Sequence, residues 1–352
     1  MVVVSCLGKS TVECVTFWPT YPPTTNNEVA KTPEYTDERI DNLKQSSHNH
    51  SMVIWENVTK TFDSDLLTKP VTALDDVSFE LVEGSTTGFL GANGAGKTTS
   101  IKIALGFTSA TRGEARFSSR IGKTRDEALR RTGFLPERPY FYPHLTGHEF
   151  ALYMGLLSGM SRQEIKLRSI QLAERLGIAG ALNRPLKTYS KGMLQRMGFL
   201  VAIQHNPELV ILDEPLSGLD PIGRKDLKDI IGSLSREGKT IFFSTHIVSD
   251  VEEICQNLVF LKSGKLVYTG EVKLLLEKNP SRVCRLTTRF AKIPNFNTPV
   301  IEIQQNLSTV VIKVEVIHRE KLLAEILSEG GQILEVSSEG ARLEQIVYGA
   351  TQ

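Results

Sequence analysis

The sequence predicts an α/β fold: a parallel-sheet core, a helical insertion and a small α+β appendage. Three observations carry this expectation. The runs Leu209–Leu212, Thr240–Ser244 and Leu258–Leu261 are short and apolar, as strands buried on both faces of a parallel sheet should be. Gly91–Thr99, rich in glycine, lies between the apolar Gly88-Phe89-Leu90 and the helical-looking Lys97–Leu105. Between residues 146 and 205, Leu152, Leu156, Leu157, Ile165, Ile170, Leu172 and Leu176 recur near the 3.6-residue helical period.

Taken in order, residues 1 to 51 differ from the rest. Thr16 to Ser51 is crowded with Thr, Pro, Asn, Ser and His and should be disordered, a tail or the product of a mis-chosen start codon. His48 and His50 could hold a metal only weakly, and a solvated tail is the expected reading. Met52 opens the alternating run Val53-Ile54-Trp55-Glu56-Asn57-Val58, the first expected strand. Val77–Val82 and Thr86–Leu90 read as strands. The core unit is expected over 52–270, with its helical segment at about 140–205. Residues 271–352 read as an α+β accessory unit. Its expected strands are Val300–Gln304, Val310–Val316 and Ile333–Val336, and its expected helices Lys321–Leu327 and Leu343–Tyr348.

The 352 residues are 40% hydrophobic and 23% charged, enough for a full core. A net charge of +1 supplies no global field for nucleic acid or anionic lipid, so no nucleic-acid partner is expected. Cys6, Cys14, Cys255 and Cys284 lack Cys-x-x-Cys spacing, which fits a reducing cytosol better than a zinc site or disulfide framework. Cys255 and Cys284 stand in apolar contexts and are expected to pack as small hydrophobes. No apolar run approaches the ~20 residues that cross a bilayer.

The chemistry is concentrated in a few places. Gly91-Ala92-Asn93-Gly94-Ala95-Gly96-Lys97-Thr98-Thr99 has the Gly-x4-Gly-Lys-Thr spacing of a phosphate-binding loop. Glycines let successive backbone N–H groups turn inward around phosphate oxygens, and the helix that follows points its positive end at the same anion. Lys97 would reach the β- and γ-phosphates, and the Thr98 hydroxyl would bind Mg²⁺. Leu209-Val210-Ile211-Leu212-Asp213-Glu214-Pro215 is an apolar strand ending in two carboxylates. Asp213 can hold Mg²⁺ directly or through water, and Glu214 can orient and deprotonate an attacking water. Ser190 is a good N-cap for the helix running to about His205. Downstream stand Ser217-Gly218-Leu219-Asp220 and, ending another apolar strand, Ser244-Thr245-His246.

In this ordered set the chain resembles the ATP-binding cassette (ABC) transporter ATPases over roughly residues 53–270. The resemblance implies a P-loop NTPase fold of the ABC type, ATP as substrate and Mg²⁺ as cofactor. It implies two ATPase subunits packed head to tail around two ATPs, as a homo- or heterodimer. Ser190, Gly192 and the amides of their helix would grip the γ-phosphate held by the partner, His246 would contact a γ-phosphate, and Asp220 would lie at the dimer seam. Phe62 stands where the family stacks an aromatic ring on adenine, the alternative being a buried core Phe. The family's Leu-Ser-Gly-Gly-Gln signature reads Tyr189-Ser190-Lys191-Gly192-Met193 here, keeping the Ser and the second Gly. Glu137, in Gly133-Phe134-Leu135-Pro136-Glu137, fills the place of a Gln that reaches the metal and attacking water, so catalytic and metal roles are both carried to it. The resemblance further implies a separate integral membrane subunit docking near Glu137, export-type transport, and a place at the cytoplasmic face of a membrane. A soluble ABC ATPase acting on ribosomes or nucleic acid is the alternative. Such proteins usually carry two cassettes, long coiled coils or zinc modules, and this chain shows none.

Overall fold

The computed structural model describes residues 50–63, 70–279, 283–290, 293–306, 309–338 and 343–348. Cys6, Cys14, His48 and the expected tail up to residue 49 lie outside them.

Two sheets make the frame of the site. The first is antiparallel in the order β2-β1-β4, from β1 (Ser51–Phe62), β2 (Val71–Val82) and β4 (Arg112–Phe117). The second has the order β5-β6-β7-β3-β8-β9, from β3 (Thr86–Leu90), β5 (Thr132–Leu135), β6 (Leu209–Leu212), β7 (Thr240–Thr245), β8 (Asn257–Lys262) and β9 (Lys265–Glu271). It is parallel from β5 to β8, and β9 joins antiparallel. Every residue of β3, β6 and β7 is buried, which explains their unbroken apolar character. β1 is buried throughout Ser51–Trp55 and, apart from Val58, half-buried or exposed from Glu56 to Phe62.

Aromatic rings join the sheets. Trp55 stacks on Phe79 at 4.2 Å, and Phe79, Phe89 and Phe242 continue the cluster at 5.0–6.1 Å. The Trp55 indole N–H donates to the Ser100 carbonyl at 3.4 Å, fastening helix α1 (Lys97–Leu105) to the first sheet. Large rings of this kind stabilise a core through area and offset geometry together.

Helix α2 (Arg125–Arg130) precedes β5. The helical segment then comprises α3 (Gly147–Leu157), α4 (Arg162–Arg175) and α5 (Lys191–Ile203). Thr146 with Glu149, and Ser161 with Glu164, form reciprocal capping boxes that fix where α3 and α4 begin. Leu172, Leu176, Met197 and Leu200 bury the segment against Leu212, Leu227 and Phe243 of the core.

After Asp220 comes α6 (Pro221–Arg236), and after β7 comes α7 (Val248–Ile254). α8 (Val272–Lys278) leads to a third, antiparallel sheet ordered β11-β12-β10-β13. Its strands are β10 (Val283–Arg289), β11 (Glu302–Gln305), β12 (Val310–Glu315) and β13 (Gln332–Ser338). α9 (Arg319–Ser328) closes its own small core through Leu322 and Ile326, packed with Leu286, Ile312 and Val314.

Several expectations shift. β1 starts one residue earlier than Met52, and the His50 carbonyl accepts from Glu83 N at 2.8 Å. The strand expected over Val300–Gln304 is Glu302–Gln305, set by pairing of Ile303 with Ile312. β4, α2, β5, α6, α7, β9, α8 and β10 are additional to the elements expected. The closing helix α10 (Leu343–Tyr348) does not join the appendage core. Leu343 is buried with Val248, Val251 and Leu275, and its backbone N–H donates to the Glu252 carboxylate of α7. An apolar side chain goes where apolar surface is left, and here that is the α7–α8 surface. Cys284 is buried, while Cys255 is half-buried by exposure, its sulfur pressed beside β3 at Gly88.

Candidate nucleotide-hydrolysis site

Strand register assembles the site. Leu90 pairs with Thr245, Leu212 with Phe243, and Leu135 with Leu212. One residue further along each strand, at the carboxyl edge of the sheet, stand Gly91, His246, Asp213, Ser244 and Pro136. Ligands of open α/β sheets collect at that edge. The Gly91 N–H donates to the Thr245 carbonyl at 3.3 Å and the Asp213 N–H to the Leu135 carbonyl at 2.8 Å, so the strand ends are locked to one another.

Glycine is required twice in the loop. At Gly96, φ is +104° and a Cβ would stand 2.4 Å from the Ala73 carbonyl oxygen of β2. At Gly91 a Cβ would meet the Leu261 carbonyl at 2.7 Å. The loop is thus wedged between β2 and β8. Ala95 is buried and its carbonyl accepts from Gly264 N at 3.2 Å. Asn93 and Gly94 are exposed, and Thr98 and Thr99 are half-buried in the first turn of α1.

The reactive side chains meet around Lys97, which is only 6% exposed. Its Nζ donates to the Gly91 carbonyl at 2.6 Å and the Ala92 carbonyl at 3.3 Å, and lies 3.3 Å from Glu214 Oε1. The other Glu214 oxygen is 3.0 Å from His246 Nδ1. Glu214 has φ +49°, a backbone conformation that non-glycine residues rarely hold. Its N–H donates to Ser244 Oγ at 2.9 Å, and the Ser244 hydroxyl donates to Asp213 Oδ1 at 2.6 Å. Ser244 therefore sets both carboxylates, a role that reading the Ser-Thr-His run for its histidine overlooked. The signal was present: a small hydroxyl ends an apolar strand beside the Asp-Glu strand.

Asp213 is 2% exposed. Burial raises its pKa above the ordinary aspartate range, hydrogen bonds from the Ser244 and Thr98 hydroxyls oppose this, and the Glu137 and Glu214 charges raise it further. The Glu137 and Glu214 charges act on Asp213, and a cation beside it would offset them. The Thr98 hydroxyl with Asp213, Glu137 and Glu214 is an all-oxygen set, the chemistry that suits Mg²⁺. Among the described residues no group of three or more His, Cys, Asp or Glu is placed to hold a metal ion, so protein carboxylates alone do not make a metal site here. Mg²⁺ fits such an arrangement because it keeps waters and phosphate oxygens as ligands. The Glu137 side chain is half exposed and 3.9 Å from Arg138.

Phe62 is 44% exposed, which rules out the core alternative, and Lys60 Nζ lies 4.9 Å from the centre of its ring. It is on the strand whose Lys60 pairs with Leu74, and Leu74 in turn touches Gly96 of the loop.

The remaining expected residues lie apart from this cluster. Ser190 caps α5, its hydroxyl accepting from Met193 N at 3.3 Å, and Gly192 faces Leu219. Asp220 caps α6, accepting from Gly223 N at 3.3 Å. Each cap contributes about 1 kcal/mol to its helix. Among the described contacts, none links Ser190, Gly192 or Asp220 to the phosphate loop of the same chain.

Comparison with known proteins agrees with this fold. A family model described as ABC transporter matches residues 74–217. The chain is 42% identical to the uncharacterized ABC transporter ATP-binding protein sll0415 of Synechocystis, over 63% of this chain and 63% of that protein. It is 32% identical to the uncharacterized ABC transporter ATP-binding protein YxlF of Bacillus subtilis, over 78% of this chain and 92% of that protein. The lantibiotic transport ATP-binding protein SrtF of Streptococcus pyogenes is 36% identical over 57% of this chain and 85% of its own length. A solved ATP-binding subunit of an ABC transporter superposes with a TM-score of 0.57 at 26% identity, covering 65% of this chain and 93% of that one. The chain therefore belongs to the ATP-binding-cassette family of ATPases, among the ABC transporter ATP-binding proteins.

Proposed function

We propose that this chain hydrolyses ATP in a head-to-tail dimer of ATPase subunits and so drives export through a separate membrane subunit, at the cytoplasmic face of the membrane. The observation that carries hydrolysis is the Lys97–Glu214–His246 cluster, set by Ser244 beside the buried Asp213. Transport is supported by the kinship with SrtF, described as a lantibiotic transport protein.

The loop amides of Gly91–Thr99 and the start of α1 would cradle the phosphates, with Lys97 as the fixed cation among them. Phe62 would stack on the adenine. Thr98 and Asp213 would hold Mg²⁺, with Glu137 at its edge; bound there, the ion supplies charge to offset the phosphate oxygens. Glu214 would orient a water and accept its proton, and His246 would fix the Glu214 carboxylate and face the γ-phosphate. Ser190 lends a lone pair to Met193 N, which leaves its hydroxyl proton for a phosphate oxygen of the facing subunit. The amides at the start of α5, with Gly192, would add their dipole, and Asp220 would lie at the seam.

An apolar surface that begins shortly after Glu137 and runs from Tyr140 through Tyr142 to Tyr153 supports the place given to the membrane subunit. Tyr140 is 73% exposed, and Tyr153, Leu156 and Leu157 add exposed apolar area on α3. Residues 52–270 would form the ATPase unit and the third sheet with α9 the accessory unit, with α10 returning to the first.

Glu214→Gln tests the proposal. The variant should bind ATP with wild-type affinity, hydrolyse it at least about 100-fold more slowly, and elute as a dimer when ATP is added. A variant that stays monomeric with ATP in gel filtration would overturn the shared-site arrangement.

A further inference from the structure

Asp250 is 1% exposed, in the first turn of α7 and four residues beyond His246. A buried carboxylate is costly unless it is paired and hydrogen-bonded. Arg224 Nη2 donates to both its oxygens, at 3.0 and 2.9 Å, and Lys228 Nζ lies 2.9 Å from Oδ1. Lys228 is also paired with Glu253. Burial works against the Lys228 charge, but its hydrogen bonds to Glu253 and Asp250 and their negative charges outweigh it and hold its pKa above the ordinary lysine value. Neutralising one aspartate needs only one cation, and apolar residues of similar size would pack the site as well. What the charged arrangement adds is a fixed distance and rotation between α6 and α7.

The attachments reach further on both sides. Thr245 Oγ1 accepts from Ile247 N at 3.0 Å across His246 and donates to Asp250 Oδ2 at 3.4 Å. The His246 backbone is thereby tied to the same carboxylate. Arg224 and Lys228 stand one and two turns after Asp220, on one face of α6. From another face of α6, Asp226 accepts from Arg196 Nη2 of α5 at 3.0 Å, and Arg196 Nη1 also donates to the Leu176 carbonyl at 2.7 Å. His246 itself is 43% exposed, so its ring is not held by burial.

We infer that Asp250 is a positioning residue for hydrolysis, fastening the His246 loop to α6 and, through α6, to Asp220 and the signature helix α5. The inference rests on the hydrolytic role proposed for Glu214 and His246. It adds a physical link between two ATP sites: α5 acts on the nucleotide of the facing subunit and His246 on that of its own, and both hang on α6.

The test is Asp250→Asn in the full chain, which keeps shape and removes the charge. Steady-state hydrolysis, ATP affinity and the imidazole NMR signals of histidine-labelled protein are read together; the chain has seven histidines, and loss in His246→Ala assigns the relevant one. The expected result is a kcat lowered by about 10- to 100-fold with ATP affinity changed by less than about 3-fold, and a displaced His246 signal. Arg224→Lys, which retains a cation on Asp250, should recover most of the rate that Arg224→Met loses. An unchanged kcat, or a lowered kcat with the His246 signal unmoved, would overturn the inference. If Asp250→Asn does not fold, Arg224→Met/Asp250→Asn removes both charges and is judged by the same two readouts. Wild-type protein without ATPase activity would instead refute the proposed function, whereas an active wild type indifferent to Asp250 refutes only the positioning role.

Discussion

Ser244 shows how much of the site rests on a residue with no chemistry of its own. Its hydroxyl donates to Asp213 Oδ1 and receives the N–H of Glu214, whose positive φ needs such an anchor. Ser244→Ala would leave a buried carboxylate one hydrogen bond short, a loss of about 1–3 kcal/mol. Asp213 would then hold its proton to higher pH, because the Ser244 bond is the strongest factor opposing the effect of burial. The expected outcome is hydrolysis slowed by about 10- to 100-fold through misplaced carboxylates, with nucleotide affinity close to wild type because Lys97 and the loop are untouched. Stopped-flow nucleotide binding and steady-state turnover measured side by side would check it. At this scale the sequence already singled out Lys97, Asp213, Glu214 and His246, which the structure brings together. It was silent on Ser244, whose role exists only once β7 lies beside β6.

At the scale of elements, the phosphate loop is a backbone shape held by its neighbours. Gly94 and Gly96 both have positive φ, 81° and 104°, yet their surroundings differ. A Cβ at Gly94 meets nothing within 4 Å, whereas at Gly96 it strikes the Ala73 carbonyl and Leu74 of β2. Gly94→Ala should therefore cost only the left-handed backbone penalty, about 1 kcal/mol. Gly96→Ala should cost that plus displacement of β2, and its thermal midpoint should fall several degrees further; equal midpoints for the two variants would contradict the wedge. The same contrast explains which elements could be read from sequence. β3, β6 and β7 are buried on both faces and announce themselves as apolar runs. β4, Arg-Gly-Glu-Ala-Arg-Phe, is largely solvent-facing, and β5 is four residues long, so neither carries enough period to stand out. β10 mixes Arg and Thr with its buried Cys284 and Leu286, and it becomes a strand by pairing with β12 and β13.

For the whole molecule, the docking of α10 on α7 and α8 shows why the chain's division was less legible than its motifs: a six-residue amphipathic segment does not state which core it will cover. Long-range burial also governs stability against acid. His205 follows α5, where the helical segment returns to β6, and burial lowers its pKa from 6.5 to about 4, with the nearby Arg168 and Lys239 charges acting in the same direction. The native state thus prefers neutral His205, while the unfolded chain takes up a proton near pH 6.5. Below that value the unfolded state binds more protons, so stability must decline as pH falls from 6.5 toward 4. A shift of this size corresponds to about 3 kcal/mol across the window. His205→Leu removes the proton uptake and keeps an apolar volume in place. Its unfolding free energy, measured in denaturant at pH 7 and pH 4.5, should decline less on acidification than that of the wild type. Parallel pH dependence in the two proteins would mean that groups other than His205 carry the acid limb.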